Sequence, residues 1–214
     1  MKTASSRLSR FAFTLIELLV VISIIAVLAG LTFTGVGSAM LSAKRVQARN
    51  DMAQIAMAVT SYYTEYGKYP AGAATSGTVD IAFGTKANNT NSLIINMLRY
   101  NGTITSGSDP YNENPRQIQF IQPKLVTNSK AGVNKSDGNW YDPWGTQYAI
   151  FIDADYAGDI DVSGVFSGMT TKPPFSVGVA SRGYYYAKQN MTPAAPAYVP
   201  TQAYDSKTDL LSWQ

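Results

Sequence analysis

From Phe11 to Phe33 the chain is almost wholly apolar, rich in Leu, Ile and Val, and Glu17 is the one charged side chain within it. A run of about 20 such residues is long enough to cross a bilayer as a helix. A secretory signal has a shorter apolar core, closed by a small-residue cleavage site on its far side. Here "LAGLTFTGVGSAM" passes into a second helical pattern instead, so the expectation is a retained transmembrane helix over 13–33. Lys2, Arg7 and Arg10 precede the run, while Lys44, Arg45 and Arg49 follow it at a greater distance. By the positive-inside rule, proximity places the N-terminus on the cytoplasmic side.

The remaining composition narrows the chemistry. The chain has 214 residues, enough for one modest globular domain beyond such a helix. Cysteine and histidine are both absent, which removes disulfides, thiolate metal sites, the Cys nucleophile and the usual general base. There is no Gly-rich phosphate loop and no Ser-based triad, so no enzyme is expected. The net charge of +3 comes from the first twelve residues: without Lys2, Arg7 and Arg10 the count is 17 − 3 = 14 basic against 14 acidic. The basic balance therefore gives no support for nucleic-acid binding.

From about Met40 to Tyr66 the pattern becomes amphipathic. Met52, Ile55, Ala56, Val59, Tyr62, Tyr63 and Tyr66 recur at three- and four-residue steps. The expectation is one long helix over 13–66, hydrophobic all round in its first half and laying one stripe (40–66) on a domain in its second. "YGKYP" at 66–70 ends it with a Gly and a following Pro. Residues 67–214 are expected to form a globular α+β domain. It has one short helix at "NSLIINMLRY" (91–100) and strands at "RQIQFI" (116–121), "QYAIFID" (147–153), "FSVGVAS" (175–181) and "GYYYA" (183–187). No βαβ alternation is visible, so the sheet is expected to be antiparallel.

The short basic leader, "AFTLIE" and the long apolar run together resemble the N-terminus of type IV pilins and type II secretion pseudopilins. "YYTEYGKYP" is similar to the segment with which pseudopilins leave their long helix. "YDPWGTQYAIF" (141–151) resembles the "DPWG" stretch of the major type II pseudopilin, and "FSVGVASRG" and "DLLSW" are looser counterparts of later elements. The resemblance implies a pilin-like α+β fold and a leader, 1–12, removed by a prepilin peptidase between Ala12 and Phe13. Phe13 is then N-methylated and Glu17 becomes the fifth residue of the mature chain. Ala12 stands where the family usually has Gly.

A lone carboxylate inside the hydrocarbon region costs on the order of 2.5–3.5 kcal/mol even on permissive scales. Two readings of Glu17 stand at this stage. Either it reaches the headgroups from one turn inside, or it meets the α-amino group that the cut creates on a neighbouring subunit. The second contact is head-to-tail, and a heterologous contact that does not close builds a helical filament. "FIDADYAGDIDV" gathers Asp153, Asp155, Asp159 and Asp161 around Gly158. Calcium takes several carboxylate and carbonyl oxygens from such a loop, and the resemblance implies a calcium loop in this part of the domain. A plain solvated acidic turn is the other reading. Asp142, in "DPWG", is expected to cap a turn rather than act as a catalytic acid.

The function expected from the resemblance is a structural subunit of a type II secretion pseudopilus. It would sit as a single-pass inner-membrane protein with its C-terminal domain periplasmic, and enter a periplasmic filament on assembly. The implied partners are the peptidase, further copies and related pseudopilins, membrane lipid, and an inner-membrane assembly platform with its ATPase. A type IV pilin for adhesion, motility or DNA uptake, and a single-pass membrane binding protein, are the alternatives.

Overall fold

A computed structural model describes residues 13–70, 79–85, 89–100, 113–163, 166–167, 169, 172–184, 202–203 and 209–212, with the backbone alone for 31–35, 167 and 202–203. The chain divides into two compact units, Met1–Ser42 and Ala43–Gln214. Helix α1 is Leu15–Tyr66. The leader and Ala12 lie outside the described residues.

Within the second unit α1 buries one stripe. Ala48, Met52, Ile55, Val59 and Tyr62 alternate four- and three-residue steps, and each is at most 1% exposed. Their spacing keeps them on one side of a 3.6-residue helix, and burying each large member contributes about 1.5–3 kcal/mol as an upper estimate. Tyr62 and Tyr66 lay their rings against Phe120, with centroids 5.4 and 6.1 Å away. The Tyr62 hydroxyl donates to the Glu113 carbonyl, and the Tyr66 hydroxyl donates to Asn114 Oδ1 at 2.6 Å. The helix ends at Gly67, whose φ is +66° and whose N–H donates to the Tyr63 carbonyl at 2.8 Å. A Cβ there would meet nothing within 4 Å, so glycine is required by the left-handed backbone rather than by space.

The domain sheet has four strands, β1 (Ile81–Phe83), β5 (Ala149–Ile152), β7 (Val177–Ser181) and β9 (Leu210–Leu211), in the order β1-β5-β7-β9. Every pair in it is antiparallel, with Ile81 opposite Ile152, Ile150 opposite Val179 and Ala180 opposite Leu211. The fold class is thus the expected α+β arrangement, a long helix packed with an antiparallel sheet domain. Side chains of β5 alternate between its faces. Ala149 and Phe151 join a cluster with Ile160, Val162, Phe166 and Leu211. Tyr148, Ile150 and Ile152 take the other face, and the Tyr148 hydroxyl donates to Asp51 of α1 at 2.9 Å, so that face lies against the helix. Helix α2, Ser92–Arg99, buries Ile94, Ile95, Met97 and Leu98 and stops where Tyr100 turns left-handed, φ 47°.

A three-stranded sheet of β2 (Leu125–Val126), β3 (Gly132–Asn134) and β4 (Trp140–Tyr141), and a two-residue pairing of β6 (Phe166–Ser167) with β8 (Gln202–Ala203), complete the set. The β2–β3 and β6–β8 pairs are parallel, unlike the main sheet. The strand expected at 116–121 is not one. Asn114 reorganises that segment: its Oδ1 accepts the Ile118 N–H at 3.1 Å, and its Nδ2 donates to the Ile118 and Met97 carbonyls. Gln117 turns left-handed at φ 58°, and one bond, Phe120 N–H to the Leu98 carbonyl, ties the run to α2. Of the strand expected at 183–187, only Gly183 and Tyr184 are described, and they lie outside every strand.

Candidate functional site

Three places carry the residues singled out in the sequence. At the start of α1, every side chain from Phe13 to Leu28 is exposed, from 47% for Val21 to 81% for Leu15 among the large apolar ones. The span expected over 13–33 includes Leu31–Phe33, whose side chains lie outside the described set. Among the described residues no helix is long and apolar enough to cross a membrane.

Glu17 has a local role that its place in the apolar run conceals. Its Oε2 accepts the Thr14 N–H at 2.8 Å and the Thr14 hydroxyl at 2.7 Å, while its own N–H donates to Thr14 Oγ1 at 3.3 Å. This reciprocal pair satisfies two amide donors that the first turn of a helix leaves without partners. The negative side chain also lies at the positive end of the helix dipole. The signal was present in the sequence as T-x-x-E ahead of an apolar run. Both described bonds end on Oε2, so Oε1 is left for another donor.

The second place is the "DPWG" turn. Asp142 is fully buried at the end of β4. Its Oδ1 accepts the N–H groups of Trp144, Gly145 and Thr146 at 2.9, 2.7 and 2.9 Å, and its Oδ2 accepts the Ser181 hydroxyl at 2.7 Å. Burial pushes its carboxyl up to about 6, against the opposing pull of those four donors. Gly145 holds the turn at φ 103°. Both oxygens are committed, Oδ1 to the amides of its own turn and Oδ2 to Ser181 of β7, so the group caps a turn.

The acidic loop is the third place. Asp153 is buried and closes the loop on itself, with Oδ1 accepting the Ala157 N–H at 3.0 Å and Oδ2 the Gly158 N–H at 2.9 Å. Gly158 takes φ +86° there. Asp155 Oδ1 also accepts the Ala157 N–H. Asp80, just before β1, completes a group of three carboxylates whose candidate ligand oxygens lie within 4.8 Å of one another: Asp80, Asp153 and Asp155. Asp159 and Asp161 are not in that group. Asp159 pairs with Lys172 at 3.1 Å, and Asp161 accepts the Ser163 N–H at 2.8 Å. Asp161 contributes its backbone instead, donating its N–H to Asp80 Oδ2 at 2.5 Å, while Asp80 Oδ1 is buried with no hydrogen-bond partner. Burial, and then the charges of Asp155 and Asp153, push the Asp80 carboxyl up. Hard carboxylate oxygens within 4.8 Å of one another, one of them without a donor, are the kind of ligand that calcium takes. Asp80 was beyond sequence reasoning because it stands 81 positions from Asp161, and only the pairing of β1 with β5 brings it to the loop.

No curated protein and no solved structure matches the chain. Residues 7–33 match the family model of the prokaryotic N-terminal methylation motif. The matched stretch contains Ala12, Phe13, the Thr14–Glu17 pair and the exposed apolar run, so the chain bears the N-terminal signature that marks the type IV pilin and pseudopilin family.

Proposed function

We propose that the chain is a structural, non-catalytic subunit of a type II secretion pseudopilus. The observation that carries this is the methylation motif at 7–33 together with an exposed apolar helix surface, Phe13 to Leu28. In this reading a prepilin peptidase cuts between Ala12 and Phe13, and the 13–33 segment holds the subunit in the inner membrane with the domain in the periplasm. An assembly platform with its ATPase then drives the subunit into a filament. Glu17 keeps its Thr14 donors through Oε2 and meets the Phe13 amine of a neighbouring copy through Oε1. A buried charge pair of this kind fixes register more than it adds net stability.

Mass spectrometry of the native N-terminus tests the proposal. A chain beginning at methylated Phe13 is expected, and an intact Met1 overturns it. Glu17→Ala is expected to leave insertion and domain folding intact while abolishing filaments; normal assembly of that variant removes the role given to Glu17. The motif is common to pseudopilins and type IV pilins, and the "DPWG" turn favours the former. Secretion lost on deletion, with surface piliation unchanged, separates the two.

Calcium belongs to the same proposal, held by Asp80, Asp153 and Asp155 and tying the loop to β1. Millimolar calcium is expected to raise the melting temperature of the full chain, and Asp80→Asn to remove the rise while Asp161→Asn keeps it. An unchanged melting temperature in the parent chain leaves a plain acidic turn.

A further inference from the structure

In the function proposed above, Lys44, Arg45 and Arg49 lie across the membrane from the leader, where the positive-inside bias works against them. That function gives them no role. All three are exposed, and none forms an ion pair among the described residues. No Asp or Glu stands between Glu17 and Asp51 in the sequence, and Asp51 accepts the Tyr148 hydroxyl at 2.9 Å. Arg45 and Arg49 are four residues apart on one side of α1, where like charges repel. Lys44 is one turn ahead of Ala48, the first residue of the buried stripe. The cations thus crowd the short length of helix just ahead of and beside the start of that stripe.

Their distance from Glu17 along the helix says what they meet. Residues 18–42 carry no charge, and these 42 − 17 = 25 positions all belong to α1. At 1.5 Å per residue they rise about 38 Å, close to the ~40–45 Å of a bilayer with its headgroups. A helix with Glu17 in one headgroup layer therefore brings Lys44 and Arg45 to the other. The stretch 34–42, "TGVGSAMLS", is small and weakly polar, as suits the passage from hydrocarbon to headgroups. We infer that Lys44, Arg45 and Arg49 bind the phosphates of anionic phospholipids in the periplasmic leaflet. A guanidinium takes a phosphate through two parallel N–H donors, and the Lys44 ammonium serves as a point charge. Long basic side chains reach headgroups from either side of that layer, and an anionic surface attracts cations within about one screening length. The cost of a cation in hydrocarbon also keeps α1 from sinking deeper.

The inference rests on the membrane anchoring proposed above and is tested so that the two can fail separately. The chain contains no cysteine, and Val46, between Arg45 and Arg49, is 68% exposed. A bimane dye on Val46→Cys of the full chain therefore reports this one level, away from the cations of the leader. In phosphatidylcholine vesicles doped with nitroxide-labelled lipid, labelled phosphatidylglycerol is expected to quench the dye about fivefold more than labelled phosphatidylcholine. The preference is expected to shrink at about 1 M salt, where screening acts over ~3 Å. Replacing all three cations (K44Q, R45Q and R49Q) is expected to bring the ratio near one without moving the melting temperature of the domain. K124Q, K130Q and K135Q together, which remove three exposed cations elsewhere, are expected to keep it. Equal quenching by the two lipids in the parent, or quenching by neither, overturns the inference and leaves the anchor standing. So does a preference that survives the loss of Lys44, Arg45 and Arg49. Filaments lost in that triple variant with the lipid preference unchanged assign the cations to a protein partner and overturn it as well. A chain that washes off the vesicles at alkaline pH removes the anchor and this inference together.

Discussion

Two stretches of the same helix meet opposite demands. From Phe13 to Leu28, at the start of α1, the side chains are apolar except for Thr14, Glu17 and Ser23, and every one is exposed. From Ala48 to Tyr62 it is mixed in composition, and five apolar residues on one side fall to 1% exposure or less. Backbone geometry is shared, so the difference lies entirely in what each side chain is given to touch. A uniform apolar surface has no preferred side and is satisfied by any apolar surroundings, lipid or helix alike. A stripe has one solution, a domain surface shaped to it, here one that includes Phe120 and Tyr148. In the function proposed above, the first stretch serves the anchoring and assembly of the chain, whereas the second decides whether the domain folds.

The sharpest break of that comparison is a truncation made in each stretch. Ile55→Ala removes a side chain buried to 0% and is expected to destabilise the domain by about 2–5 kcal/mol in a denaturant titration. Leu18→Ala, at a site 59% exposed, is expected to change the same midpoint by less than about 0.5 kcal/mol. Equal effects at both sites would mean that the first stretch shares the domain's core.

Next in size is the turn that holds β4 to β7. Asp142→Ala leaves the Trp144 and Thr146 amides without an acceptor and the Gly145 amide with the backbone carbonyl of residue 142 alone, at about 1–3 kcal/mol for each buried group that stays unsatisfied. The parent carboxyl also couples this turn to pH. Its folded-state value, about 6, lies above the ordinary 3.8, so the folded chain holds a proton that the unfolded chain has released. Stability is therefore expected to fall as pH rises through that window, by roughly 3 kcal/mol, and to stay level above it. Asp142→Asn keeps an oxygen for the three amides and cannot ionise, so its unfolding midpoint is expected to lack this slope. A slope that persists in Asp142→Asn assigns the effect to other carboxylates.

What the residues disclose in advance follows the same division. The N-terminal run, the stripe on α1, the Gly67 stop and the strands near 147–153 and 175–181 are legible because each is a local pattern long enough to have a period. Strands β2 to β4 span two or three residues each and fall below any periodic signal. The run at 116–121 alternates like a strand, yet the Asn114 side chain takes the bonds that a partner strand would have made. Among the acids, sequence proximity groups Asp159 and Asp161 with Asp153 and Asp155, whereas the three carboxylates within 4.8 Å of one another are Asp80, Asp153 and Asp155. Distance along the chain hid Asp80, while Asp159 pairs with Lys172 and Asp161 accepts the Ser163 N–H.

The smallest effect is the one that most sharpens the view of Glu17. In the apolar run this acid looks out of place, and its Thr14 bonds give it a purpose within its own chain. Thr14→Val keeps the shape of the side chain while removing the hydroxyl that both donates to Glu17 Oε2 and accepts the Glu17 N–H. The loss of such a cap is expected to cost about 1 kcal/mol at the helix start, read as faster hydrogen exchange of the first-turn amides with the domain's midpoint unchanged. Glu17 retains the Thr14 N–H in this variant, so its carboxylate is still held near the helix end. If Glu17 acts through this cap alone, Thr14→Val reproduces a fraction of the Glu17→Ala defect in proportion to the bonds removed. If the carboxylate also receives a neighbour's amine, Thr14→Val assembles nearly as the parent does while Glu17→Ala does not. The ratio of the two filament yields thus separates the part of Glu17 that serves its own helix from the part that serves another.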